Sequence, residues 1–423
     1  MSNQVPERPE GNGRPDGAWA PPNSAPGYGS TPPQGPPPPP PAWYPPPYYG
    51  PRPPYGAPPQ PPYGTQQPYG APPAYTWGPG GVGQPPRTGR PELPRFPHPE
   101  PREYHEMLRT WNYAWWKPLL GIVLVALGMV VVAPILLMPI LIGGVMLEGG
   151  DFWESFETAA TLEAVGPASL LYLNLTLGSA ILVCWVVMRY LHRMRPRWLT
   201  SVVPKMRWKL FFVFVGFSVV ALIAVIVVQV VLSAFLPADE SAAVELGAVN
   251  EFTTTTVILA LIVLLTTPLQ AAGEEYVFRG YLMQAVGSLT RSKWFALLLT
   301  STLFAMAHGV QNFPLFFDRF MFGLITGWLV IRTGGLEAAI AMHILNNFLA
   351  FGYALTFSDL TSSLTVSEIG WQNIPLTLTQ AGVYAGLVLL MARRTDMQRR
   401  TRPPGTAVSG GRAEPRDTVV RLT

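Results

Sequence analysis

The stretch PLLGIVLVALGMVVVAPILLMPILIGGVML, residues 118–147, runs for 30 positions without a charged side chain. A helix needs only about 20 apolar residues to cross the hydrocarbon core of a bilayer. A run of this length is not a soluble core helix, and it places the chain in a membrane. Its excess length predicts that the helix tilts, kinks at Pro134 or Pro139, or protrudes. Further apolar runs follow at about 167–188, 210–236, 254–273, 294–309, 313–331, 335–356 and 374–392. The period-2 alternation of a transmembrane barrel is missing from all of them. The expected fold is therefore an all-α polytopic membrane protein, with about eight transmembrane helices within residues 113–392.

Composition agrees. Of 423 residues, 48% are hydrophobic and 13% charged, and mean hydropathy is +0.23. The charge content is about half the ~25% usual for soluble domains, which argues against an ordinary cytosolic enzyme. Residues 1–108 differ sharply, holding 34 of the 48 prolines in their first 100 positions. Pro, Gly, Tyr and Gln there offer no aliphatic run to bury, so a disordered tail with polyproline character is expected. Such a tail serves as a spacer, or as a ligand for a partner that reads Pro-rich motifs. No apolar stretch of secretory-signal type occurs in the first 20 residues. Residues 393–423 form a second polar tail with eight arginines. The single Cys184 excludes an internal disulfide and a Cys-based zinc cluster. The net charge of +4 is mild, and nucleic acid is not an expected partner.

The connections between runs set the orientation. Arg189, Arg193, Arg195, Arg197, Lys205, Arg207 and Lys209 crowd one of them, Arg291 and Lys293 a second, and Arg332 a third. Segments 148–166, 237–253 and 357–373 carry no Lys or Arg, but do carry acids such as Glu148, Asp151, Glu154, Asp239 and Glu368. Lysine and arginine mark the cytoplasmic side. With eight spans, the alternation puts both termini inside, most simply in a plasma membrane. Trp115, Trp116 and Lys117 suit the interface before the first helix.

Ionisable groups inside spans are expensive and point to function. They cluster in the second half of the chain: Ala272-Gly-Glu274-Glu275-Tyr-Val-Phe-Arg279-Gly280, then Phe304-Ala-Met-Ala-His308-Gly309, then His343-Ile-Leu-Asn346-Asn347. Glu275 and Arg279 stand at i and i+4 in the favourable order for a helical ion pair. Glu274 points about 100° away and is left for chemistry. If the Glu-bearing helix continues to about 288, Glu274 and His308 stand at nearly equal height in an antiparallel hairpin. His98 and His192 are expected at the surface. Asp318, Arg319 and Glu337 read as structural or interfacial, and Gly309, Gly323 and Gly327 as close-packing positions.

A carboxylate beside an imidazole can hold a water and take its proton, and a second His with an Asn can donate to an oxyanion. Alternatively, Glu274, His308 and His343 can hold Zn²⁺ or another divalent ion with water in the fourth position. Either scheme hydrolyses an amide without a nucleophilic Ser or Cys. No H-E-x-x-H motif is present. A pair of acids in a membrane also suits an ion relay in a transporter.

These three segments, in this order, resemble the CPBP family of intramembrane proteases, which includes the CAAX prenyl endopeptidases and bacteriocin-immunity proteins and carries the Abi domain. The family pattern EExxxR, FxxxH and HxxxN or HxxxD is met by Glu274-Glu275 with Arg279, by Phe304 with His308 and by His343 with Asn347. The resemblance covers about residues 254–350. It implies an eight-helix fold and endopeptidase action on a membrane-associated peptide. Glu274 and His308 would then activate water, His343 and Asn347 would steady the oxyanion, and Glu275, Arg279 and Phe304 would support them. It leaves the metal open. A non-proteolytic protein of the same fold, an immunity factor or a transporter, is the rival reading.

Overall fold

The computed structural model describes residues 96–235 and 249–402. The Pro-rich stretch before Phe96 and the chain beyond Arg402 lie outside the described residues, so the expectations for both tails apply there only in part. Among the described residues the protein is all-helical, without named strands. Eight helices carry the apolar runs: α1 (Trp116–Glu148), α2 (Pro167–Tyr190), α3 (Trp208–Phe235), α4 (Thr254–Thr290), α5 (Lys293–Met306), α6 (Phe313–Thr333), α7 (Glu337–Phe357) and α8 (Asn373–Arg394). Short helices Phe152–Thr161 and Leu360–Leu364 lie in two of the connections.

Seven of the eight are long and apolar enough to cross a membrane. The protein is a multi-pass membrane protein. The eighth run differs from expectation. α5 has 14 residues, about 21 Å of helix against a core of about 30 Å. Residues 307–312 follow it without helix, toward the connection between α7 and α8. Their backbone is tied off by Gln311, which donates to Ala305 O and Gly309 O, and by Asn312, whose N–H and side-chain amide donate to Ser367 O and Ile369 O.

α1 accommodates its prolines as its length required. The chain widens into a π-type turn at Gly128–Val132, just before Pro134 removes a backbone donor. Its outward face is apolar, with Val123, Val130, Ile135 and Leu136 all exposed, as a lipid-facing helix requires. α4 runs 37 residues to Thr290, so the apolar run ending at 273 was cut short only by the polar motif itself. α4 packs along α2 and α7, and α8 packs along α3 and α6. Gly273 and Gly178 let α4 and α2 approach closely. A Cβ on Gly273 would stand 2.2 Å from Leu177 O. Gly323 and Gly327 serve close packing against Ser301 and Leu297 as expected. Gly309 does not; it sits at φ +85° with nothing near its missing Cβ, so its role is the left-handed turn after His308.

One end of the bundle is built over. Residues 96–108, assigned above to the tail, instead form an ordered cap with segments 192–207 and 395–402. Tyr104, Met107, Leu108 and Trp198 are buried there. The Tyr104 hydroxyl donates to Leu199 O, and Arg102 and Thr401 exchange backbone and hydroxyl hydrogen bonds at 2.9 Å. Val202 N–H donates to Gly334 O, and Arg207 holds Glu337 through both carboxylate oxygens at 2.8 and 2.6 Å. His98 and His192 are not at the surface. They are 2% and 5% exposed, on Met107 O and Tyr281 Oη. Burial lowers the pKa of each to about 4.

Candidate active site

The site forms where α4, α5, α6 and α7 meet. Glu274 and Glu275 end the regular part of α4, and the helix widens into a π-type turn over Tyr276–Leu282. Such turns concentrate at functional sites because they re-aim side chains. Glu275 and Arg279 are both fully buried and pair at 2.9 Å. Phe304 stacks on the guanidinium, with Arg279 Cζ 4.0 Å from the ring centroid. The ring face takes the place of an acceptor on that side.

Glu275 does more than pair with Arg279. Its Oε1 also accepts from His343 Nδ1 at 2.8 Å. That bond fixes the ring and leaves Nε2 as the free nitrogen of the neutral tautomer. Nε2 faces Glu274 Oε2 at 3.9 Å. Phe304 and Phe322 flank the His343 ring, at 6.0 and 5.1 Å between centroids. His308 lies at an exposed rim just beyond the end of α5. Its Nδ1 donates to Phe304 O at 2.8 Å, which likewise leaves Nε2 free. Asn347 Nδ2 donates to Gln270 Oε1 at 2.9 Å, and Gln270 in turn donates to Glu274 Oε1.

All four residues assigned to chemistry, Glu274, His308, His343 and Asn347, line one cavity of about 550 Å³. Phe304 lines it as well, while Glu275 and Arg279 sit behind it. Within 4 Å, the imidazole beside Glu274 is that of His343 rather than His308. Among the described residues, no three His, Cys, Asp or Glu side chains are grouped to hold a metal ion. Glu274, His308 and His343 as they stand do not form a metal cradle.

Three lining residues went unrecognised in the sequence. Gln270 joins Asn347 to Glu274; its signal was an amide four residues before Glu274 inside an otherwise apolar run. Asp318 and Arg319, read as structural, line the same cavity. Asp318 accepts from the Thr377 hydroxyl, and Arg319 Nη1 is buried without a hydrogen-bond partner.

Comparison with known proteins falls on this same stretch. Residues 254–349 match the Rce1-like family, described as type II CAAX prenyl endopeptidase Rce1-like. The match bears out the resemblance drawn from the three motifs. Two curated bacterial proteins are similar in part. One is "Uncharacterized protein YyaK" of Bacillus subtilis, 27% identical over 149 residues, which is 32% of this chain and 50% of that protein. The other is "Uncharacterized 24.3 kDa protein" of Escherichia coli, 37% identical over 73 residues, which is 17% of this chain and 34% of that protein. The chain thus spans half or less of the curated relatives it matches. No solved structure matches it.

Proposed function

We propose that this protein is an intramembrane endopeptidase that hydrolyses a peptide bond of a membrane-associated substrate. The observation that carries the reading is the facing pair Glu274 Oε2 and His343 Nε2, 3.9 Å apart in a cavity, with His343 locked from behind by Glu275. That gap is too long for a direct hydrogen bond and suits one bridging water. The family description, a prenyl endopeptidase, supports the same chemistry.

Glu274 takes one proton from the bridging water as its oxygen bonds to the substrate carbonyl carbon. Gln270 holds the other carboxylate oxygen and keeps Oε2 turned to the water. The carbonyl oxygen becomes an oxyanion. Asn347, with one amide N–H spent on Gln270, has a second to donate to it, and His308 Nε2 donates when it carries a proton. The C–N bond then breaks, and the proton held by Glu274 passes to the leaving amine. The imidazole that shares the water is His343, an exchange of roles with His308 relative to the family pattern.

The protein sits in the plasma membrane with its capped end in the cytoplasm. Every described Lys and Arg except Arg279 and Arg319 lies at or near that end. Reporter fusions after Thr161 and Thr365 should read outside, and those after Lys205 and Asp396 inside. An outside signal after Lys205 would reverse this orientation.

The direct test is cleavage of a membrane peptide by purified protein in micelles. Glu274→Gln preserves shape and removes the base, and should cost about 10²–10⁴ in turnover. Unchanged turnover would overturn the assignment. Activity that vanishes with a chelator and returns with Zn²⁺ would favour the metal-bound form of the reaction, with Glu274, His308 and His343 drawn together as ligands.

A further inference from the structure

The cavity has two unlike ends. At its deep end every wall is buried: Phe322, Met342 and His343 line it, and the Glu275–Arg279 pair lies behind them as a closed floor. Behind that floor, on the Lys/Arg-rich side, Tyr276 hydrogen-bonds Thr200 and Tyr281 hydrogen-bonds His192, while Gln284 donates to Trp198 O. No lining residue comes from the cap. At the other end the lining includes Ser358, Ser362, Ser363, Leu364 and Val366, from the connection between α7 and α8. Ser358 and Ser362 are exposed, so the cavity reaches the surface there. This is the end where Val165 meets Thr361 and Asn312 meets Ser367, and its described connections carry acids such as Asp359 and Glu368 but no Lys or Arg.

From these observations we infer that the cavity takes its substrate from the extracytoplasmic side, as an extended juxtamembrane segment of a membrane-anchored protein. The inference rests on the proteolytic reading above and adds the substrate class to it. His343 and the mouth residue Ser358 stand 15 residues apart along and just past α7, about 22 Å of helix. An extended peptide covers that distance with about seven residues. Leu177, Phe351 and Leu364 offer apolar wall to its side chains, and Ser358, Ser362 and Ser363 offer hydroxyls to its backbone. Beside the mouth stand the exposed Val310, Phe313 and Trp371. That apolar rim suits lipid and the membrane anchor of the same substrate. A cytoplasmic peptide would have to pass the ordered cap and the Glu275–Arg279 floor, both of which are closed.

The test is chemical accessibility, which does not depend on cleavage. The native Cys184 is fully buried and gives a silent background. Ala350→Cys lies in the cavity lining, Ser362→Cys lies at its mouth, and Asp396→Cys marks the capped end. A membrane-impermeant, sulfonated thiol reagent applied to intact cells should label Ala350→Cys and Ser362→Cys and leave Asp396→Cys untouched. In inside-out vesicles the pattern should invert. Labelling of Ala350→Cys only from the cytoplasmic face, or from neither face, would overturn the inference. Ser363→Cys repeats the measurement should Ala350→Cys fail to accumulate. External labelling of a protein that cleaves no extracytoplasmic segment would count against the proteolytic reading and leave the access route standing.

Discussion

The capped end and the open end of this bundle solve opposite problems with similar side chains. At the capped end, Tyr104, Arg207 and His98 find partners within the protein, on Leu199 O, Glu337 and Met107 O, and the atoms left without one, such as His98 Nδ1 and Trp198 Nε1, are sealed in the packing. At the open end, Glu274, His308, His343 and Arg319 line a cavity, with Glu274 Oε2 and His343 Nε2 3.9 Å apart across it. The Glu275–Arg279 pair separates the two. Buried charge by itself therefore does not mark the site; Glu337 is as buried as Glu275. The site is marked by polar groups that are partnered on one side and open to a shared cavity on the other.

Three substitutions or conditions would break or sharpen this contrast. The largest effect is expected at the floor. Arg279→Ala strands Glu275 uncompensated at zero exposure and should cost about 3–5 kcal/mol, read as lost accumulation and a lower unfolding temperature in detergent. Normal stability would show that the pair does not form the dividing floor.

Next comes pH, which should act at the capped end. His98 and His192 stay neutral in the fold down to about 4, whereas the unfolded chain protonates near 6.5. Stability is then full above pH 6.5 and falls as pH drops, by about 2 kcal/mol per histidine at pH 5. Thermal unfolding at pH 7.5 and 5.0 should show the loss, and His98→Asn should remove about half of it. A flat profile would mean that the cap is not a closed, dry layer.

The smallest effect is expected at the open end. Gln270→Leu removes the link between Asn347 and Glu274 and leaves Glu274 Oε1 without its donor, at about 1–3 kcal/mol. That loss should fall on kcat with KM little changed. A change confined to KM would place Gln270 in substrate binding rather than in aiming the base.

What was legible in the sequence follows from the same contrast. Runs of apolar residues declare themselves by length, so seven crossings could be read off directly. α5 could not, because the apolar run continues through Ala307 after the helix ends at Met306, and hydropathy does not register where backbone hydrogen bonding stops. Glu274, Glu275, Arg279, His308, His343 and Asn347 were legible because each stands out against apolar neighbours at helical spacing. The bond from Glu275 to His343 was not, since it joins residues 68 apart in the chain. His98 and His192 were misread because polar and Pro-rich neighbours suggest solvent, while their burial is made by Trp198 and Tyr281 from other segments.

The central claim is that Glu274 and His343 act on one water. A double-mutant cycle on peptide cleavage in micelles tests it, using Glu274→Gln and His343→Asn, the latter retaining an amide donor toward Glu275. Each single change should lower kcat by about 10²–10⁴, and the double variant should be hardly slower than the slower single. Losses that multiply in the double variant would mean that the two side chains act on separate steps, and would contradict the account.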